Sequence, residues 1–140
     1  MTSSLALFAA ALIQSPAAPA CPIVENFTIV PFESGSAVLS TRTRSQIEAW
    51  LRSYRYPPAR IDLLGNADRV GTRRANQWLS VRRAGAIRAF LVGLGIPRER
   101  ISIRGTGEDQ LVIETGDGVP EAQNRIVWLS VMPDEREPRC

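Results

Sequence analysis

Between Asn26 and Val131 the hydrophobic period switches repeatedly between two and 3.6, and that switching restricts the fold more than any other property of the chain. "NFTIVPF", Asn26 to Phe32, alternates Phe27 and Ile29 with polar or neutral positions and reads as a strand. After the loop "ESGSAVLS", Ser40 or Thr41 can cap a helix in which Ile47, Trp50, Leu51 and Tyr54 share one face; Pro57 and Pro58 stop it. "RIDLLG", Arg60 to Gly65, is a second strand. Thr72 caps a second helix that runs to about Leu94, where Gly95 supplies the left-handed position and Pro97 prevents continuation. "RISIRG" is a third strand, and "NRIVWLSV" a fourth, with Val127, Leu129 and Val131 on one face and Ile126 and Trp128 on the other. "TGEDQLVIETGDGVPEAQ" between them is irregular, with at most a helical turn.

The order β-α-β-α-β-loop-β favours parallel crossovers at each strand-helix-strand step. It predicts an α+β fold: a two-layer sandwich with a mixed four-stranded sheet and two main helices on one face. No internal repeat or linker divides the 140 residues, so one domain is expected over 23–132, followed by a polar tail, 133–140.

Residues 1–20 read as an export signal. Leu5 to Ile13 is an apolar run too short to span a bilayer, which takes roughly 20 residues. Ala18-Pro19-Ala20 fits a small-x-small cleavage site, although the leader carries no Arg or Lys ahead of the run. Cys21 directly after it leaves two readings open. One is acylation, as in a lipoprotein signal, which the stretch resembles only loosely because Ala18 stands where Leu is expected. The other is a disulfide with Cys140 in an oxidising compartment. The expected location is the periplasm, with or without a lipid tie to the outer membrane.

All seventeen basic residues are arginine. Fourteen lie between Thr41 and Arg104, against Glu48, Asp62, Asp68 and Glu99. Such a middle favours an anionic partner such as a nucleic acid, an acidic polymer or a membrane surface, or else is a solvated face. There is no histidine and no cysteine besides Cys21 and Cys140, which excludes a Ser-His or Cys-His nucleophile pair and any ordinary zinc site. The carboxylates show no clear paired arrangement, so no enzyme activity, metal or cofactor is expected. "GTGE" lacks the Lys-Ser/Thr of a phosphate loop. Few aromatics interleave with the arginines, which argues against nucleic acid. Trp50 and Tyr54 suit the core; Trp78 lies off the main stripe of its helix, partly exposed or packed under a loop.

The second helix carries the candidate site. Leu79, Ile87, Phe90, Leu91 and Leu94 make the stripe expected to pack on the sheet. Arg83 sits on that stripe, and Asn76 is seven residues before it on nearly the same line. A guanidinium there must be paired, or it costs several kcal/mol. The nearest acid in sequence is Asp68, in the loop before the helix. Either the loop doubles back to form a direct pair, or a gap remains between the charges. Such a gap suits a zwitterion, whose ammonium would meet Asp68 and whose carboxylate would meet Arg83.

At these residues the chain resembles the C-terminal family of OmpA, the periplasmic peptidoglycan-binding domain found in OmpA, Pal and MotB proteins. The resemblance rests on Gly65-Asn66-Ala67-Asp68, Gly71, Asn76, Leu79-Ser80, Arg83-Ala84, Gly95-Ile96-Pro97, Arg100-Ile101, Gly105-Thr106-Gly107-Glu108 and Asn124-Arg125-Ile126-Val127. It runs from about Phe27 to Val131. It implies a non-catalytic module that holds the diaminopimelate of the peptidoglycan stem peptide. In that carry-over Asp68 meets the ammonium, Arg83 the carboxylate, Asn76 orders the loop and Arg125 adds positive potential. Two departures stand out. Asn66-Ala67 replaces the family's His-Thr, and Ile126 replaces the second arginine of its last motif. Two alternatives remain at this stage: a structural or partner-docking module with a degenerate pocket, and an Arg-rich nucleic-acid-binding protein.

Overall fold

The structure is a computed structural model and describes residues 27–54 and 58–132. Residues 1–20, read from the sequence as an export signal, Cys21, Pro57 and residues 133–140 with Cys140 lie outside the described residues. The elements are β1 (Phe27–Pro31), α1 (Thr41–Arg52), β2 (Arg60–Gly65), α2 (Arg73–Gly93), β3 (Ile101–Gly105) and β4 (Ile126–Met132). Short 3-10 turns cover Arg98–Arg100 and Ala122–Asn124.

The four strands form one mixed sheet in the order β1-β4-β2-β3. β2 and β3 are parallel, and β4 runs antiparallel to both β1 and β2. The last strand therefore fills the gap that the β1-α1-β2 crossover leaves open. Register aligns Val30 with Val127, Leu63 with Leu129 and Leu63 with Ile103. α1 adds Ile47 to this face, and α2 adds Ala84, Ile87 and Leu91, giving a single core. Burying each aliphatic side chain of this size stabilises by about 1.5–3 kcal/mol. On β1 the buried residue is Val30, whereas Phe27 and Ile29 point to the opposite, open face.

Both helix starts follow from local chemistry. The hydroxyl of Ser40 accepts from the Thr43 N–H at 3.1 Å, and that of Thr72 from the Ala75 N–H at 3.1 Å, each satisfying a donor that the first turn leaves free. α1 ends at Arg52, ahead of the prolines, with Ser53 as its cap. Tyr54 lies just past the helix and still packs edge-on against Trp50, ring centroids 5.2 Å apart. Gly95, at φ +97°, closes the end of α2.

The inward stripe of α2 differs from the one the sequence predicts. Its buried residues are Asn76, Ser80, Arg83, Ala84, Ile87 and Leu91. Leu79 and Phe90 sit at its edges, and Leu94 is 43% exposed. Two glycines set this rotation. Gly65 and Gly105 face each other across β2 and β3. A Cβ on Gly65 would lie 2.0 Å from the Ser80 carbonyl oxygen, and one on Gly105 would lie 2.7 Å from the Val81 nitrogen. The helix backbone thus rests directly on the ends of the two strands, and Ser80 turns down between them. Its hydroxyl donates to the Gln77 carbonyl at 2.8 Å and accepts from the Gly107 N–H at 2.9 Å.

Candidate functional site

The site gathers where loops leave the sheet around the first half of α2. Asp68 follows β2 and is nearly enclosed, with 4% exposure. One carboxylate oxygen accepts from Arg125 Nη1 at 3.0 Å and from the Glu121 N–H at 3.3 Å; the other accepts a long bond from the Val70 N–H. Arg125 is held in turn, its Nε donating to the Phe32 carbonyl at 3.2 Å. The ion pair of Asp68 is thus with Arg125, just before β4.

Arg83 is fully buried and takes a different kind of partner. Its Nε donates to the Ser36 carbonyl at 2.9 Å, Nη1 to the Asn66 carbonyl at 3.0 Å and Nη2 to the Glu33 carbonyl at 3.0 Å. The guanidinium lies over the Phe32 ring, 5.4 Å from its centroid. One fork therefore clamps the β1–α1 loop and the end of β2 onto α2. Three of the five N–H groups that a guanidinium carries are used in this way. Burial pushes its pKa down to about 10, Asp68 opposes that fall, and Arg125 adds to it. The group is still charged at neutral pH.

Asn76 donates through Nδ2 to Glu108 Oε2 at 2.7 Å, tying α2 to the loop after β3. Arg69 Nε lies 3.8 Å from the other Glu108 oxygen, Oε1. Arg69 also pairs with Asp117 and donates to the Thr115 carbonyl at 3.0 Å. An open cleft of about 410 Å³ lies beside this network, lined by Asp68, Asn76, Arg82, Trp78 and the Ser34–Gly35 turn, among others. The four expected residues thus occupy one region, but they are not equivalent. Asp68 and Asn76 line the cleft, Arg125 anchors Asp68 from behind, and Arg83 sits beneath the loop that rims it. Among the described residues Asp68 and Arg83 form no direct ion pair, although their charges influence each other.

Three contributors escape a reading by position. Glu108 anchors Asn76, and its role is decided by a loop that returns to the helix. Arg82, next to Arg83 in the sequence and exposed, lines the cleft. Asn124, wholly buried, accepts from the Val112 and Ile113 N–H groups at 2.8 and 2.9 Å and donates to the Ile113 carbonyl at 2.8 Å. It holds the irregular 106–121 segment in place. The last family motif, which begins at Asn124, marked the position but not this role. Asn66, the residue in the family's histidine position, is buried, and its Nδ2 donates to the Gln110 carbonyl at 2.6 Å.

Comparison with known proteins agrees with this architecture. A model of the OmpA family matches residues 31–125. Outer membrane protein A of Yersinia pseudotuberculosis serotype I is 34% identical over 137 residues, covering 91% of this chain and 38% of that protein. The chain spans less than two fifths of the length of the curated relatives it matches. The crystal structure of the peptidoglycan-associated lipoprotein from Burkholderia pseudomallei superposes with a TM-score of 0.63 at 27% identity, covering 74% of this chain and 89% of that one. The cell wall anchor of the T6SS from Pseudomonas aeruginosa superposes with a TM-score of 0.62 at 21% identity, covering 77% and 81%, and shares the fold. The sheet order, the polar cluster at the head of α2 and the family match over most of the described residues lead to one assignment: the chain belongs to the OmpA family.

Proposed function

We propose that this domain binds peptidoglycan without catalysis, through the diaminopimelate of the stem peptide, and so ties its protein to the cell wall from the periplasmic side. The observation that carries the reading is the Asp68 carboxylate. It is fixed by Arg125 and two backbone N–H groups, yet lines an open cleft able to admit a small cation. A charge held rigidly in a partly dry site interacts more strongly with a ligand ammonium than a solvated one does. Arg83, enclosed beneath the rim loop, supplies positive potential toward the ligand carboxylate without touching it, and Arg82 at the cleft wall adds to that potential. Asn76 keeps the cleft in shape through Glu108. The names of the relatives point the same way: one is a peptidoglycan-associated lipoprotein, another a cell wall anchor, and the curated relatives are outer membrane proteins.

Co-sedimentation with purified sacculi tests the reading. The wild-type protein is expected to pellet, free diaminopimelate to release it, and Asp68→Asn to weaken binding about tenfold or more, the scale of one lost charge-assisted contact. Equal pelleting of wild type and Asp68→Asn, with no effect of free diaminopimelate, would remove the site. One observation favours a rival. Arg83 is completely enclosed by its three carbonyls, as in a module whose polar cluster is structural and whose surface docks a protein partner. That rival expects this second outcome.

A further inference from the structure

Trp78 is 63% exposed, the most exposed aromatic side chain among the described residues. The core gains little from it. It stands on the second turn of α2 and lines two concavities at once. On one side is the Asp68 cleft; on the other is a cavity of about 480 Å³ bordered by Arg73, Arg74, Gln77 and Asp109. The indole is therefore the ridge between them. Arg74 and Arg82, four residues to either side, share its helix face, and each borders one of the two concavities. A broad flat apolar surface between two guanidinium groups suits a ligand that is apolar on one ring face and anionic on either side of it.

We propose that Trp78 is a carbohydrate-stacking platform for the glycan strand of peptidoglycan, and that Arg74 and Arg82 face the free carboxylates of the stem peptide. The inference rests on the peptidoglycan reading and adds a second subsite to it. An N-acetylhexosamine presents a C–H face that covers an indole, while its amide and hydroxyl groups stay in water. In a stem peptide, diaminopimelate is separated from the muramyl sugar by two residues and a lactyl link, about 10 Å of extended chain. A ligand whose diaminopimelate is seated at Asp68 thus delivers its sugar to the rim of that cleft, where Trp78 stands, and not to a distant face.

Two soluble probes separate the subsites: the tripeptide L-Ala-γ-D-Glu-meso-diaminopimelate, and the same peptide carried on its N-acetylglucosaminyl-N-acetylmuramyl disaccharide. Affinities are measured by calorimetry for wild type, Trp78→Ala and Trp78→Phe, with thermal melts to show that each variant folds. The disaccharide is expected to tighten wild-type binding about tenfold, as an exposed tryptophan anchor can. Trp78→Ala is expected to weaken the disaccharide probe about tenfold more than the tripeptide, erasing that gain, and Trp78→Phe to keep part of it. If the two probes bind wild type equally, if the gain survives Trp78→Ala, or if both probes weaken alike, the platform is overturned while the peptide site stands. If neither probe binds wild type, the peptidoglycan reading fails and the platform fails with it.

Discussion

The two halves of α2 present the same face to the same sheet and hold it by different physics. The second half buries Ala84, Ile87 and Leu91, apolar side chains whose attraction has no direction. The first half buries Asn76, Ser80 and Arg83, and each reaches a specific partner: Glu108, the Gly107 N–H, and the carbonyls of Glu33, Ser36 and Asn66. Apolar packing tolerates a change of shape if volume is kept. A hydrogen-bonded clamp does not, because every lost donor strands a buried acceptor. The candidate site sits at the directional end, where three loops are pinned in register and polar groups can be offered to a ligand at fixed positions. The apolar end anchors the helix so that the other end can be specific.

Paired substitutions should expose this contrast most sharply. Arg83→Lys keeps the charge but not the planar fork, so it leaves carbonyls of Glu33, Ser36 or Asn66 without a donor. It is expected to cost about 2–4 kcal/mol of unfolding free energy. Leu91→Met, near-isosteric at the apolar end, should cost less than about 1.5 kcal/mol. Denaturant titration of both variants reads the difference, and a larger loss for Leu91→Met would break the comparison.

The contact that sets the rotation of α2 comes next. Gly65→Ala drives a methyl group into the Ser80 carbonyl and must lift the helix off β2, a cost of about 1–3 kcal/mol. If its midpoint in denaturant matches wild type, the glycines do not fix that rotation. The smallest effect belongs to Leu94. The sequence stripe places it in the core, but the structure leaves it 43% exposed, so Leu94→Ala should stay within about 0.5 kcal/mol of wild type. A loss above about 2 kcal/mol would restore the sequence-based stripe.

Much of the molecule is legible from local rules. Ser40 and Thr72 cap their helices, Gly95 ends α2, and the alternation in β4 puts Val127, Leu129 and Val131 inward, because each depends on residues a few positions apart. The rotation of α2 was misread because periodicity weighs side chains and ignores backbone contact. Leu79 and Leu94 looked like core, yet the closest approach is helix backbone over Gly65 and Gly105, which no hydropathy pattern records.

The candidate site divides along the same line. Sequence alone singled out Asp68, Asn76, Arg83 and Arg125, since a buried guanidinium must be satisfied and the family motif runs through all four. Tertiary structure alone decided who satisfies whom. Arg83 reaches carbonyls 47 and 50 residues away, and Asp68 reaches Arg125 across 57 residues. Such partners are brought together only when β4 enters between β1 and β2. Residue type states which charges need company; the path of the chain through the sheet determines which company they find.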